Sequence, residues 1–258
     1  MAKTDAVDIN CDMGESFGVY KIGMDEEMIS HISSANIACG FHAGDPDVMR
    51  RTVNMAVENR VGIGAHPSFP DLKGFGRRKM NINIEEVKNL VTYQIGALAA
   101  FARSSGSRLQ HVKPHGALNN MAATNYELAE AVALAIKEFN PDLIYVAMCN
   151  SAMYRAGREL GLKTAGEAFA DRAYQKDGTL VSRSRAGAVL EDPQKINERV
   201  VRMVKEGEVE SIEGEVIKIN PDTICVHGDN SNCVAIAENL VKAIEAAEIE
   251  IKTLAHIV

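Results

Sequence analysis

Short apolar segments alternate with longer amphipathic segments along the whole chain. The short segments are rich in β-branched and small apolar residues, which is typical of buried strands. Seven of them fit this description: residues 6–12, 35–39, 61–66, 108–115, 143–149, 163–169 and 223–229. The segments between them repeat apolar residues at helical spacing. Strand and helix alternating in this way predict a parallel sheet with helices outside it.

Local signals mark where some of the helices begin. Asp45 is a candidate N-cap, and Pro46 would occupy the first helical position. Thr124, followed three residues later by Glu127, predicts a capping box at the start of another helix. These signals support the helical interpretation of the amphipathic segments.

The expected architecture follows from the number of units and the lack of a linker. No stretch rich in Pro, Gly or Ser divides the chain, so we expect one domain over residues 1–258. A closed, irregular (β/α)7 barrel resembling the TIM barrel is the simplest α/β fold for this pattern. An open doubly wound sheet is the alternative. Residues 208–220 alternate around Glu213-Gly214, which predicts a small β-hairpin before the last strand.

The first predicted strand has an unusual polar face. Side chains along a barrel strand alternate between the interior and the helix-facing side. The apolar set is Val7, Ile9 and Cys11, and the polar set is Asp8, Asn10 and Asp12. If the apolar set packs against the helices, three polar side chains point into the barrel. Burying them requires counter-charges or solvent, and Asp12 would lie at the C-terminal end of the strand, where barrel active sites form.

Further ionisable residues lie at the same ends of other strands. Four of the seven histidines end strands and are followed within two residues by Gly or Pro: His42, His66, His115 and His227. Lys113, Glu167, Asp171 and Asp229 lie at or just beyond strand ends as well. Two long connections, 67–80 and 171–192, leave these ends and contain Arg77, Arg172 and Arg183, which could bind a carboxylate or phosphate.

The residues leave two kinds of chemistry open. The chain has no G-x-S-x-G nucleophile motif, no phosphate-binding P-loop and no G-x-G-x-x-G after a strand. On a strand, His111 and His115 would lie about 13 Å apart, too far to chelate one metal ion together. A metal site built from Asp12, His42 and His66 is possible, and so is metal-free acid–base catalysis by the same groups. Either points to hydrolysis or proton transfer at a carbonyl.

Composition narrows the class of partner. The net charge is −7, and no basic block is present, which argues against nucleic acid or an anionic membrane as the main partner. The five cysteines form no C-x-x-C pair, and the first ten residues lack the apolar core of a secretory signal. We therefore expect reduced thiols in a cytoplasmic protein.

Several long motifs resemble those of the 5-oxoprolinase A-subunit family, formerly called lactam-utilisation proteins. The blocks are DINCDMGES, NIACGFHAGDP, GAHPSFPDLKGFGRR, VKPHGALNN, EAFADRAYQKDGTLVSRSRAGAV and HGD, in this order. The resemblance runs from residue 7 to about residue 250. It implies a seven-unit barrel akin to polysaccharide-deacetylase barrels. It also implies ATP-dependent opening of 5-oxo-L-proline to L-glutamate together with subunits B and C, which would bind the ATP co-substrate.

Under that resemblance we assign roles to the candidate residues. Asp12 and His66 would activate water, and His42, Lys113 and His115 would polarise the carbonyl or stabilise an oxyanion. Glu167 or His227 would protonate the leaving nitrogen. The predicted substrate-binding or orienting residues are Asp8, Asn10, Arg77, Asp171, Arg172, Arg183 and Asp229. There are two alternatives to this function: a stand-alone metal-dependent hydrolase such as a deacetylase, and a non-catalytic scaffold subunit. The sequence leaves open whether the chain forms a homodimer.

Overall fold

A computed structural model describes residues 6–182, 184–226 and 233–258 of the chain. These residues form ten strands: β1 (Ala6–Met13), β2 (Ser34–Ala38), β3 (Gly62–His66), β4 (His111–Val112), β5 (Ile144–Met148), β6 (Thr164–Phe169), β7 (Glu208–Glu210), β8 (Val216–Lys218), β9 (Thr223–Val226) and β10 (Glu250–Ile251). Seven of them pair in parallel in the order β1-β2-β3-β4-β5-β6-β9, and β9 pairs with β1. The sheet therefore closes on itself, which confirms the predicted barrel and rules out the open sheet.

The other three strands lie outside this closed sheet. β10 extends the N-terminal end of β1, where Ala6 pairs with Glu250. β7 and β8 pair antiparallel, with Val209 opposite Ile217, and form the hairpin predicted within residues 208–220. The main difference from the predicted strands is β4, which pairs only over two residues instead of 108–115. Pro114 has no N–H to donate, but backbone hydrogen bonds to the chain of β3 continue on both sides of it, from the Lys113 N–H to the Ala65 carbonyl and from the His115 N–H to the Pro67 carbonyl.

Helices connect the barrel strands on the outside. They are α1 (Asp25–Met28), α2 (Pro46–Glu58), α3 (Ile84–Ser104), α4 (Gly116–Ala122), α5 (Tyr126–Phe139), α6 (Ala152–Glu159), α7 (Pro193–Glu206) and α8 (Cys233–Ala246). Short 3₁₀ turns cover Ile29–His31, Leu72–Gly74 and Leu254–His256. In the described part of the chain, no helix has the length and apolar character needed to cross a membrane.

One predicted helix start is confirmed and another is wrong. The Asp45 carboxylate accepts hydrogen bonds from the backbone N–H groups of Asp47 and Val48, so it caps α2 as expected. The capping box of Thr124 and Glu127 does not form. Asn125 caps α5 instead and accepts a hydrogen bond from the Leu128 N–H. The Thr124 hydroxyl donates back to the Met121 carbonyl, because Thr124 still belongs to the turn that ends α4.

The side chains of β1 alternate between two buried regions, the layer between the strands and the outer helices and the inside of the barrel. Val7, Ile9, Cys11 and Met13 are fully buried in the main apolar core between the strands and the outer helices. The inside of the barrel is apolar on one side only. Near the N-terminal end, Leu254 packs with residues of β5 and β6, namely Ile144, Val146 and Ala165. The opposite side of the interior, formed by β1 to β4 together with Glu167 of β6 and Thr223 of β9, is polar and contains the candidate site.

Candidate active site

A cavity of about 580 Å³ opens at the C-terminal end of the barrel. Its lining includes five ionisable residues from strand ends and the loops that follow them: Asp12, Glu15, His66, Lys113 and His115. Arg77 and Arg172, from the two long loops, also line it, together with Phe169 and residues 179–182. The cavity thus lies where barrel enzymes place their active sites.

A buried amide on β2 connects the polar face of β1 with β4. Asn36 is fully buried, and its amide nitrogen donates to Asn10 Oδ1 at 2.7 Å and to Asp12 Oδ1 at 2.9 Å. Its oxygen lies 2.8 Å from His111 Nε2. An amide oxygen only accepts, so His111 carries its proton on Nε2. Burial, followed by the charges of Lys113 and His66, lowers the pKa of His111 to about 3, so this imidazole is neutral.

Lys113 lies at the centre of the polar half of the barrel. Its Nζ is 2.8 Å from Asp12 Oδ1, 2.9 Å from Glu167 Oε1 and 3.2 Å from Asn10 Oδ1. Burial by itself would lower the pKa of this ammonium, but the negative charges around it, led by Asp12, hold the pKa well above its usual value. Lys113 is therefore a fixed cation that lines the cavity, suited to stabilising an oxyanion and unsuited to acting as a base.

His66 is oriented by a backbone carbonyl and faces Asp12. Its Nδ1 lies 2.6 Å from the Lys113 carbonyl oxygen, which can only accept, so Nδ1 carries the proton. The other nitrogen, Nε2, therefore presents a lone pair to the site, 3.2 Å from Asp12 Oδ2. Burial raises the pKa of Asp12, but the neighbouring His66 ring and the Lys113 ammonium hold it well below its ordinary value. An ionised Asp12 beside His66 is a pair that can accept a proton from water.

His115 and His42 pack side by side next to His66. Their rings stack with centroids 3.8 Å apart and planes inclined by 9°. His115 Nε2 lies 2.9 Å from the Phe75 carbonyl, and its Nδ1 lies 3.0 Å from His66 Nε2. Burial lowers the pKa of both His42 and His115 well below the usual histidine value, with further lowering from neighbouring histidines. Both rings are thus neutral in the folded protein.

Glu15 completes a group of possible metal ligands that the sequence analysis did not predict. One ligand atom from each of Glu15, His42, His66 and His115 can be chosen so that all four lie within 4.8 Å of one another. Glu15 Oε1 is 3.5 Å from His42 Nε2 and 3.7 Å from His115 Nδ1. The predicted metal set contained Asp12 with His42 and His66. The structure instead places Asp12 between Lys113 and His66 and brings Glu15 and His115 to the other histidines.

Two glycines leave room for imidazole rings: Gly76 lets the first long loop fold over His42 and His115, and Gly64 makes space for His111. Gly76 has a φ of +64°, and a Cβ there would lie 2.8 Å from His42 Cβ and 2.9 Å from His115 Cδ2. Below the loop, a Cβ on Gly64 of β3 would lie 2.0 Å from His111 Nε2. Distances under 3.0 Å exclude a side chain at both positions. The absent side chains leave the space in which the imidazoles pack.

Arg172 and Asp171 of the second long loop are buried, whereas Arg77 of the first long loop is exposed. Arg172 is buried, and its guanidinium donates to the backbone carbonyls of Val181, at 2.6 Å, and Ala188. It therefore holds the loop together as well as lining the cavity. Asp171 is also buried and does not line the cavity. Arg77 is exposed at the rim, with its guanidinium 5.2 Å from the centre of the Phe75 ring.

Asp8 lies at the other end of the barrel from the cavity. It is fully buried and accepts hydrogen bonds from the hydroxyl groups of Ser33, Ser34 and Thr223. Burial raises the pKa of Asp8 to about 6, although the three hydroxyl groups lower it. The structure gives Asp8 no contact with the cavity, so the sequence-based idea that it binds substrate has no structural support.

The predicted site residues therefore fall into four groups. Asp12, His66, Lys113, His115, Arg77 and Arg172 line one cavity. Asn10, His42 and Glu167 are buried beside them without lining the cavity, whereas Asp8 and Asp171 lie apart. The predictions for His227, Asp229 and Arg183 fall outside the described residues. Asn36 was missed, although it shares a strand face with Ser34, and so was Glu15, although it belongs to the block DINCDMGES.

Comparison with known proteins decides the family. The family model described as LamB/YcsF family matches residues 7–258. The chain belongs to the LamB/YcsF family. Its relatives include the 5-oxoprolinase A subunit of Natranaerobius thermophilus, 59% identical over 248 residues that cover 96% of each chain. The protein of the same name from Pyrococcus abyssi is 54% identical over 248 residues, 96% of this chain and 97% of the relative. The resemblance noted in the sequence is confirmed.

Solved structures support the same conclusion. The lactam utilization protein from Thermus thermophilus is 44% identical, with a TM-score of 0.92 over 96% of this chain and 99% of that chain. A family 4 carbohydrate esterase from Streptomyces lividans has a TM-score of 0.50 at 11% identity, over 96% of this chain and 91% of that one. At that identity the likeness concerns the fold alone, and it agrees with the deacetylase-like barrel that we expected.

Proposed function

We propose that this chain is the component of an ATP-dependent 5-oxoprolinase that adds water to the activated ring of 5-oxo-L-proline. The names of its relatives support a 5-oxoprolinase role. The observation that carries the chemistry is the arrangement of Asp12, whose carboxylate lies 2.8 Å from the Lys113 ammonium and 3.2 Å from His66 Nε2 at the cavity. A base and a fixed cation then face the same space, as hydrolysis of an amide requires.

ATP enters the proposal through the chemistry of the substrate. A five-membered lactam is an unactivated amide, and phosphorylation of its oxygen would make the carbon electrophilic. The chain contains no phosphate-binding motif, so we assign the nucleotide step to partner subunits B and C. The product of that step is anionic. The Lys113 ammonium inside the cavity and the exposed Arg77 at its rim suit such a ligand.

The proton transfers can be assigned to His66 and Asp12. Water adds to the activated carbon while His66 Nε2 takes one of its protons, and the Asp12 carboxylate stabilises the resulting imidazolium. The C–N bond then breaks, and both water protons finish on the ring nitrogen, one of them returned by His66. The carbon keeps the phosphate as an acyl phosphate, which a second water hydrolyses to L-glutamate and phosphate.

Glu167 has a different role in this scheme from the one first predicted. It is buried, does not line the cavity and lies 2.9 Å from Lys113 Nζ. We therefore assign it to positioning the Lys113 ammonium instead of protonating the leaving nitrogen. Asn10 acts in the same way, since its oxygen lies 3.2 Å from the same nitrogen.

An ATP-dependent glutamate-release assay tests the proposal. The chain would be assayed alone and with candidate B and C subunits, and only the complete set should release glutamate. Asp12→Asn and His66→Gln should each lower turnover at least about 100-fold, the usual contribution of a positioned acid or base. Asp142→Asn, a change at an exposed carboxylate, is the matched control. Near-normal turnover by both site variants in an intact complex would support a scaffold role instead.

The histidine and glutamate cluster favours a second candidate, a stand-alone metal-dependent hydrolase such as a deacetylase. Release of acetate from N-acetylated sugars by the chain alone, without ATP or partners, would favour it over the first. Light scattering on the same preparation would determine whether the chain forms a homodimer. A cytoplasmic location fits both candidates, since all five cysteines are buried thiols outside any disulfide among the described residues.

A further inference from the structure

We propose that Glu15, His42, His66 and His115 form a binding site for one divalent transition-metal ion, with Zn²⁺ the best match. This inference goes beyond the proposed function, in which no step needs a metal ion; with an ion on His66 Nε2, the Asp12 carboxylate would accept the proton of the attacking water. It also differs from the metal set suggested by the sequence, because it replaces Asp12 with Glu15 and His115. Four observations about the geometry support it.

The first observation is that two lone pairs face each other. Backbone carbonyls accept a hydrogen bond from His66 Nδ1 at 2.6 Å and from His115 Nε2 at 2.9 Å. A carbonyl oxygen cannot donate, so both protons are committed to these contacts. The remaining nitrogens, His66 Nε2 and His115 Nδ1, lie 3.0 Å apart, and both present lone pairs. Such an arrangement is repulsive unless a metal ion or a shared proton lies between the two nitrogens.

The second observation is the state of His42. Its side chain is completely buried, and neither ring nitrogen has a hydrogen-bond partner among the described residues. A buried imidazole without a partner loses the hydrogen bonds it would make in water, at a cost that a bound ligand would remove. His42 Nε2 lies 3.5 Å from Glu15 Oε1, so it faces the same group of atoms.

The third observation is the spacing of the possible ligand atoms. Bonds of about 2.05 Å to nitrogen and oxygen in a tetrahedral zinc site place neighbouring ligand atoms about 3.3 Å apart. The measured separations are 3.0 Å for His66 Nε2 to His115 Nδ1, 3.5 Å for His42 Nε2 to Glu15 Oε1 and 3.7 Å for His115 Nδ1 to Glu15 Oε1. These three separations lie on both sides of the ideal value and the other pairs lie within 4.8 Å, so side-chain rotations would complete the site.

The fourth observation is the chemistry of the ligands and of the groups behind them. Three imidazoles and one carboxylate suit Zn²⁺ and neighbouring transition metals better than Mg²⁺ or Ca²⁺, which prefer oxygen ligands. Metal-bound histidines usually donate their second N–H to a carbonyl or carboxylate, as His66 and His115 do here. A bound ion would supply Lewis acidity next to Asp12 and Lys113 at the cavity.

Metal binding can be measured without turnover, so the result is independent of the proposed oxoprolinase activity. The full chain would be stripped with a chelator and titrated with Zn²⁺ against a chromophoric competitor, and Co²⁺ loading would be followed by visible absorption. We expect one equivalent of Zn²⁺ per chain, and a Co²⁺ spectrum of the low-symmetry type that nitrogen-rich sites give. Uptake well below one equivalent by the wild-type chain would overturn the proposal and would favour a proton shared by His66 and His115.

Variants test whether these residues are the ligands. Glu15→Gln keeps the shape of the side chain and removes its charge, and His42→Ala removes a ligand without filling its place. Each variant should bind Zn²⁺ at least tenfold more weakly than wild type. Zn²⁺ should raise the melting temperature of the wild-type chain and should not raise that of either variant. His256→Ala removes an exposed histidine and should bind like wild type. Circular dichroism would show that the two site variants are folded. If these folded variants also bind Zn²⁺ like wild type, the assignment of the ligands is wrong.

Discussion

Replacing Lys113 by methionine tests the electrostatic balance inside the barrel. The substitution keeps most of the side-chain volume and removes the ammonium that lies 2.8 Å from Asp12 and 2.9 Å from Glu167. At an effective dielectric constant of about 20, each unit pair at this distance attracts by about 6 kcal/mol, before the cost of burying the charges is subtracted. Breaking buried pairs by removing one partner costs about 3–5 kcal/mol. We expect Lys113→Met to lower the free energy of unfolding by about 4 kcal/mol.

Urea unfolding followed by circular dichroism would measure this loss, with Lys88→Met as the matched control. Lys88 pairs at 3.2 Å with Glu138, whose side chain is 60% exposed, so its loss should cost less than about 1 kcal/mol. The double variant Lys113→Met/Glu167→Gln should recover part of the loss, since one of the two unpaired carboxylates is gone. Equal losses for the two lysine variants, or a double variant no more stable than Lys113→Met, would refute the reasoning.

Two further predictions concern packing and pH. Gly64→Ala should lower the free energy of unfolding by about 1–3 kcal/mol through overpacking, because its Cβ would overlap the His111 ring. Gly96 lies within α3, and the nearest atom to a new Cβ there is 3.7 Å away. Gly96→Ala should instead raise the free energy of unfolding by about 0.5–1 kcal/mol in the same urea unfolding experiment. Comparable destabilisation by both changes would contradict the argument. The folded pKa of Asp8 is raised from 3.8 to about 6, so its contribution to stability is fully present below the unfolded pKa and is lost as pH rises to the folded value. The free energy of unfolding would be measured for wild type and for Asp8→Asn at several pH values. The value for wild type minus the value for the variant should fall by roughly 2 kcal/mol between about pH 4 and about pH 7. A pH-independent difference would show that the pKa of Asp8 is not raised.

The family relationship and the proposed chemistry rest on different observations. Membership of the LamB/YcsF family follows from a match over residues 7–258. The assignment of Asp12, His66 and Lys113 follows from their distances at the cavity, whatever name the relatives have. The metal site rests on a further set of contacts that shares His66 Nε2 with the proposed chemistry, so an ion bound there would leave the Asp12 carboxylate as the proton acceptor.

The alternation of apolar and polar residues determined the strands and the barrel, because the side-chain period of two is a local property of the extended backbone. It also determined that Asp8, Asn10 and Asp12 share a face, and Asn10 and Asp12 do meet through Asn36 inside the barrel. The cap residue Asp45 and Pro46 determined where α2 starts, since these too act over a few residues.

Only the tertiary structure decided which polar residues meet and in what state. Glu15 lies beyond the end of β1, and its approach to His42 and His115 depends on the path of two loops, which no local pattern determines. The carbonyl of Phe75, also on a loop, sets the proton position on His115. Asp8 and Asp12 alternate identically in sequence, yet hydroxyl groups surround one and charged side chains the other. Barrel closure brings those neighbours from distant strands, and the neighbours decide the chemistry of each carboxylate.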